Sequence, residues 1–279
     1  MSTATGHPDD VRFVTARDGR RLFVREYGAP DAGRTLVLVH GYGEHGGRYE
    51  HRLGPFIEAG FRIVVPDVRG HGRSDGRRGH VLRFEQYLDD LERVFEVVKT
   101  PAARTVLFGH SHGGLIAARY TLSHPGAVAA LGLSSPFFGL AVKAPAWKIG
   151  AGRLLSRVLP TVSLPTEIES KWVSHDPGVV AAYDADPLNH HVVNTRWFTE
   201  AMKSIEVVHR LAPSMTTSTL VVQAGDDKLV EVAASRSWAA AVPGAIYEEV
   251  PEAFHELWFE PDGARHAARF CEFFDARTR

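Results

Sequence analysis

Five consecutive residues, Gly109-His110-Ser111-His112-Gly113, set a serine between glycines two positions away on either side. A serine hydroxyl is a weak nucleophile until a base takes its proton, and the base in turn needs a partner to orient it. The apolar run Thr105 to Phe108 comes before this segment, and a helical stretch opens at Gly114. At such a strand-to-helix turn, G-x-S-x-G has a mechanical logic. The bend is too tight for side chains at the flanking glycines, so the hydroxyl projects from the carboxyl end of a sheet, where open α/β sheets bind ligands. The helix N-terminus then offers backbone N–H groups to a developing oxyanion. The five letters alone would also suit a glycine-rich turn with an incidental serine, because both residues are common. The strand before and the helix after point to a nucleophile.

In α/β-hydrolases the base and its orienting acid follow the serine in the order acid, then histidine. The strand-like run Thr219 to Gln223 leads into Ala224-Gly225-Asp226-Asp227-Lys228-Leu229-Val230. One strand later, Ala245 to Val250 leads into Pro251-Glu252-Ala253-Phe254-His255-Glu256. With fifteen histidines in the chain, the position of His255 after the acid, and not its presence, marks it as the base. Asp226 and Asp227 both stand where the acid belongs. Asp227 is preferred because Asp-Lys-Leu-Val resembles the D-x-(L/I)-V segment around that acid in many hydrolases of this fold. The second oxyanion amide comes from the loop after an early strand. Here Thr35 to Val39 runs into His40-Gly41-Tyr42-Gly43, so the N–H groups of Tyr42 and His112 are the candidate pair.

The same glycines carry a rival reading. Gly41, Gly43 and Gly46 satisfy G-x-G-x-x-G after a strand, and Asp67 follows about twenty residues on, as in a dinucleotide-binding fingerprint. Against it, Gly46-Gly47 would weaken a helix starting there, and Asp67 runs into the loop Val68-Arg69-Gly70-His71-Gly72. A nicotinamide-dependent oxidoreductase would also leave the serine turn, Asp227 and His255 without a purpose. Metal chemistry has less support. His110-x-His112 lacks the further aspartate and histidine of dinuclear metallohydrolases, and His40, His71 and His110 read as hydrogen-bonded loop residues. No metal and no cofactor are expected.

The elements that must hold these residues alternate. Val11 to Ala16 and Arg21 to Tyr27 flank Asp18-Gly19 as an antiparallel hairpin. Thr35 to His40, Arg62 to Pro66, Thr105 to Phe108, Ala129 to Ser134 and Thr219 to Gln223 are short aliphatic runs suited to a parallel sheet covered on both faces. Between them, Phe84 to Lys99 places Tyr87, Leu88, Leu91, Phe95 and Val98 on one helical face. Leu115 to Ser123, Val232 to Val242 and Ala264 to Asp275 are further helices. The fold class is therefore α/β, a doubly wound, mostly parallel sheet in a single domain over residues 1–279. From about 137 to 199 the alternation lapses and prolines accumulate, which predicts a mostly helical cap insertion without a strand.

The whole chain sets outer limits. At 279 residues and 44% hydrophobic, it can bury one large core. A net charge of -1 leaves no electrostatic footprint for nucleic acid. Cys271 is the only cysteine, so no intrachain disulfide forms and a reducing, cytoplasmic setting fits. The first ten residues are polar and no apolar run approaches the length of a membrane span, so the chain is expected to be soluble. In the cap, Trp147, Ala151, Leu154, Leu155 and Val158 share a helical face flanked by Arg153 and Arg157. That pattern suits a peripheral membrane contact, or equally a face packed on the body of the protein.

Four blocks in order resemble one family. Leu38-Val39-His40-Gly41-Tyr42-Gly43-Glu44-His45-Gly46-Gly47-Arg48-Tyr49 is similar to the H-G-x-G-E-H-S-G-R-Y segment of monoacylglycerol lipases and their lysophospholipase-like, serine aminopeptidase-like relatives. Asp67 to Gly76 with Gly79-His80-Val81, Gly109 to Gly114, and Asp176-Pro177 through Tyr183 to Leu188 resemble the next loop, the serine turn and the cap. The resemblance implies an α/β-hydrolase fold, a triad of Ser111, Asp227 and His255, and hydrolysis of a monoacylglycerol or similar single-chain lipid ester. A lysophospholipase, a short-chain carboxylesterase and a catalytically silent binding protein are the alternatives. It also implies that Glu44, Arg48, His110 and Tyr183 line a polar pocket for the glycerol head. Glu44 and Arg48 could instead form a structural ion pair bracing the oxyanion loop. His112 stands where the family usually has methionine, and Gly46 where it has serine.

Overall fold

The computed structural model of the chain describes residues 8–141, 156–166 and 169–279. Its strands are β1 (Asp10–Thr15), β2 (Arg21–Tyr27), β3 (Arg34–Val39), β4 (Phe61–Pro66), β5 (Thr105–His110), β6 (Ala130–Ser134), β7 (Ser163–Pro165), β8 (Val192–Asn194), β9 (Ser218–Ala224) and β10 (Ile246–Val250). Eight of them form one sheet in the order β1-β2-β4-β3-β5-β6-β9-β10. The hairpin β1–β2 is antiparallel, β2 is antiparallel to β4, and every pairing from β4 through to β10 is parallel.

A parallel sheet hides both faces under helices, which is why these strands read as unbroken aliphatic runs. On β3, Leu36 and Leu38 enter one core while Val37 and Val39 enter the other. Phe108 on β5 faces the first of these cores, with Trp258 stacked on it at 4.4 Å and Phe270 edge-on at 4.9 Å. Emptying that position to alanine would cost roughly 3–5 kcal/mol.

The α-helices lying wholly within the described residues are α1 (Gly54–Glu58), α2 (Glu85–Val98), α3 (His112–Ser123), α4 (Pro177–Ala185), α5 (Thr195–Leu211), α6 (Val232–Ala241) and α7 (Gly263–Thr278). Tyr87, Leu88, Leu91, Val94 and Val98 form the buried stripe of α2. That helix stops at Lys99, which turns left-handed at φ 58°.

The cap stretch departs from expectation in two ways. It contains the antiparallel pair β7–β8, and helix α5 runs straight through position 199. Strands of three residues carry too little alternation to stand out in sequence. α5 is continuous because Trp197, Ala201, Ser204 and Val208 keep helical spacing along one buried face. The Asn194 side chain caps its start by accepting from the Arg196 N–H at 2.9 Å. Of the apolar stripe considered for lipid, Trp147, Ala151, Leu154 and Leu155, with the flanking Arg153, lie outside the described residues, whereas Val158 is 68% exposed. No helix among the described residues is long and apolar enough to cross a membrane.

Candidate active site

Ser111 sits between the last residue of β5 and the first of α3 with φ 51° and ψ -117°. A residue with a Cβ pays conformational strain there, and such strain gathers at functional sites when the surroundings enforce it. Here they do. The Ser111 N–H donates to the Ser134 carbonyl (3.0 Å), and its own carbonyl accepts from Leu115 (3.1 Å) and Phe137 (2.9 Å). The flanking glycines follow from the same crowding. A Cβ on Gly109 would strike the Gly113 carbonyl, and one on Gly113 would strike the carbonyls of Val39 and His40.

Asp227 and His255 arrive from the next two strand ends, β9 and β10. His255 Nδ1 lies 2.7 Å from Asp227 Oδ2, and both side chains are buried. Three further donors fix the carboxylate: the N–H groups of Leu229 (2.9 Å) and Val230 (3.0 Å) and Gln223 Nε2 (3.2 Å). Asp226 is exposed and pairs with Lys228. The His255 backbone hangs from the segment before the cap helix α4, with its N–H toward the Trp172 carbonyl and that of Glu256 on Val173 (2.9 Å). Burial works to lower the His255 pKa, but the charge and hydrogen bond of Asp227, with Glu256 and Glu44 behind, leave it raised above 6.5. The His110 ring packs on His255 with centroids 4.8 Å apart, which sets the base beside the residue preceding Ser111.

The loop after β3 closes the site. A Cβ on Gly41 would stand 3.5 Å from the Ser111 Cβ, so this loop passes directly over the serine. Among the described residues no acceptor takes the Tyr42 N–H. His112 opens α3, where N–H groups lack intrahelical partners. Tyr42 follows the Gly41 that overlies Ser111, and His112 follows Ser111 itself. The loop is held from below by His40, whose Nδ1 lies 2.8 Å from the Gly41 carbonyl and whose Nε2 accepts from the Val68 N–H at 2.9 Å. From the cap side, the Tyr42 hydroxyl donates to the Val192 carbonyl (2.9 Å), the His190 N–H to the Gly43 carbonyl (2.8 Å), and His45 Nε2 lies 2.8 Å from Asp186.

Glu44, Arg48, His110 and Tyr183 do come together. Glu44 Oε1 accepts from the Gly41 N–H (2.6 Å) and the Tyr49 hydroxyl (2.8 Å), and its other oxygen pairs with Arg48. Burial alone would raise the Glu44 carboxyl, but Arg48 and His40, with the hydrogen bonds from Tyr49 and Gly41, together hold it below its ordinary value. The Arg48 guanidinium lies 4.7 Å from the Tyr183 ring centre. His110 Nδ1 is 3.1 Å from the Ser134 carbonyl, and burial, with His255 nearby, pushes the ring down to about 3.

Sequence reasoning missed Glu256, whose carboxylate takes both ends of the Arg48 guanidinium (2.8 and 2.7 Å). Its position next to the base was the only available signal. It also missed Trp197, whose Nε1–H donates to His112 Nε2 at 3.3 Å. The dinucleotide reading fails on Asp67. That side chain is buried and spent on Arg25 (2.6 Å) and the N–H groups of Gly46 (2.9 Å) and Arg73 (2.8 Å), which leaves nothing for a ribose. Gly46 also opens a 3-10 helix, not the long helix a pyrophosphate needs.

The fold and the chain both have relatives among known proteins. The family model described as serine aminopeptidase, S33, matches residues 30–262. A monoacylglycerol lipase of Mycolicibacterium smegmatis is 33% identical over 233 residues, covering 81% of this chain and 82% of that protein. The monoglyceride lipase of Homo sapiens is 30% identical over 270 residues, covering 89% of each. The crystal structure of Paleococcus ferrophilus monoacylglycerol lipase matches with a TM-score of 0.85 at 28% identity, covering 92% of this chain and 99% of that one.

Proposed function

Because the chain belongs to the serine aminopeptidase S33 family of α/β-hydrolases, we propose that it is a serine carboxylic-ester hydrolase that releases fatty acid and glycerol from monoacylglycerols. Ser111 Oγ attacks the ester carbonyl carbon while His255 Nε2 takes its proton, and Asp227 steadies the imidazolium through Nδ1. The N–H groups of Tyr42 and His112 hold the oxyanion. His255 then gives the proton to the departing glycerol oxygen, leaving the acyl group on Ser111. Water attacks the acyl-enzyme with His255 again as base, and as the bond to Ser111 breaks His255 returns the proton to Oγ and the fatty acid leaves. The cycle needs no cofactor.

Glu44, Arg48, His110 and Tyr183 form the wall on the base's side, where the glycerol half sits. Arg48 serves that wall through its ion pairs. The single domain, with a cap beginning near 137, covers the site, and a cytoplasmic or membrane-peripheral setting suits the substrate.

One observation carries the reading: the buried Asp227–His255 contact, packed against the neighbour of a serine in a positive-φ turn. The relatives named for monoacylglycerol support the choice of substrate. Ser111→Ala should abolish ester hydrolysis and fluorophosphonate labelling while the protein stays folded. Labelling that persists in the folded variant would remove Ser111 from the role. Wild-type turnover of monoacylglycerols should exceed that of lysophospholipids and short-chain nitrophenyl esters, and the reverse ranking would move the substrate.

A further inference from the structure

Two carboxylates share one guanidinium beside His255. Arg48 forks onto Glu256 through Nη1 and Nη2, and its Nη1 also meets Glu44. All three side chains are buried, and the guanidinium is closed in by the rings of Tyr183 and Phe259, 4.7 and 4.5 Å from its carbon. His110 joins them, with one ligand atom each from Glu44, His110 and Glu256 lying within 4.8 Å of one another. A cation could use that donor set, but the Arg48 guanidinium already fills it. His110 contributes no charge, since burial holds it neutral down to about pH 3. Two carboxylates against one guanidinium leave one negative charge uncompensated within the group. A charge withdrawn from water in this way acts over several ångströms with little screening.

We infer that this surplus negative charge, supplied by Glu256, makes the site selective for esters whose alcohol half is neutral or cationic and turns away those whose alcohol half is anionic. The inference rests on the assignment of His255 as the base. The base delivers the proton to the departing alcohol, so that alcohol leaves on the side where Glu256 and Glu44 stand. The charges acting on His255 there are those of Asp227, Glu256 and Glu44, the last two paired with Arg48, and His110 packs on its ring. Glu256 is a positioning and specificity residue on this account, acting on the leaving group through its field.

The test compares two octanoate esters of one shape, 3-carbamoylbenzyl and 3-carboxybenzyl, in which the methylene insulates the leaving oxygen from the substituent. In the wild-type enzyme, kcat/KM for the carbamoyl ester should exceed that for the carboxylate by about tenfold or more. Glu256→Gln should shrink that ratio by about tenfold, mostly through KM for the anion, and should move the acid limb for the neutral ester to lower pH. Glu44→Gln, which removes the same charge from the opposite carboxylate, is the second variant. A purely structural role would lower turnover of both esters alike and leave the ratio fixed. Equal turnover of the two esters by the wild type, or an unchanged ratio in either folded variant, overturns the inference. Turnover surviving in Ser111→Ala would instead indict the assigned site. Ser111-dependent turnover that obeys the charge ratio but ignores monoacylglycerols would sink the substrate reading alone.

Discussion

His255 Nδ1 meets Asp227 Oδ2 at 2.7 Å, while Asp226, one residue earlier, turns its carboxylate outward to Lys228. Adjacent residues of one type have therefore been given opposite surroundings. Asp227→Asn should lower kcat by about three to four orders of magnitude, because the amide can no longer stabilise the imidazolium. Asp226→Asn should change kcat less than about twofold, since an exposed pair contributes little. Steady-state kinetics on one soluble ester measures both, and the opposite ranking would exchange their roles.

The pH profile follows from the same contact. A general base must be neutral to act, and a raised pKa keeps His255 protonated to higher pH. The acid limb of kcat/KM should therefore lie above 6.5. Ester hydrolysis between pH 5 and 9 reads it directly, and a limb well below 6.5 would contradict the carboxylate surroundings.

Strain at Ser111 predicts a change of stability opposite to the change of activity. Glycine accepts φ 51° without cost, so Ser111→Gly should stabilise the fold by about 1 kcal/mol after its extra unfolded-state entropy is subtracted. Ser111→Ala keeps a Cβ and should not. Urea unfolding of the two inactive variants compares them, and a less stable glycine variant would show the turn to be unstrained.

His112 makes the protein sensitive to acid. Burial pushes its pKa down to about 3, and its Nδ1 has no hydrogen-bond partner among the described residues. A depressed histidine pKa contributes stability that is present above the unfolded value of 6.5 and is lost as pH falls toward 3. His112→Met removes the group, so between pH 7 and pH 5 the variant should lose about 2 kcal/mol less than the wild type. Parallel unfolding curves at the two pH values would show that His112 is not the titrating residue.

The sheet was legible because burial on both faces writes itself into consecutive aliphatic residues, as in Leu36 to Val39. The serine turn was legible because crowding allows only glycine at 109 and 113. Asp227 was preferred over Asp226 on a likeness of four letters, and the geometry supplies the physical reason in burial and two backbone donors. The Arg48–Glu256 fork joins positions 208 apart in the chain, and no local pattern announces a pairing of that range. β7 and β8 were invisible for a different reason. Their stability lies in contacts with each other and with the loops below, and three residues hold too little pattern to show it.

Those contacts tie the returning part of the cap to the reaction. After Asp186, three successive attachments join the returning chain to the loop over Ser111: His45 to Asp186, the His190 N–H to Gly43, and the Tyr42 hydroxyl to Val192. Inserting or deleting one residue between Asp186 and Asn194 would throw these attachments out of step and drag the Tyr42 amide with them. Length in that return is thus set by the reaction's geometry as firmly as the identity of Ser111. Descendants of this sequence should keep the count from Asp186 to Asn194, as they should keep the stretch at Trp172 and Val173 that holds the backbone of His255 and Glu256.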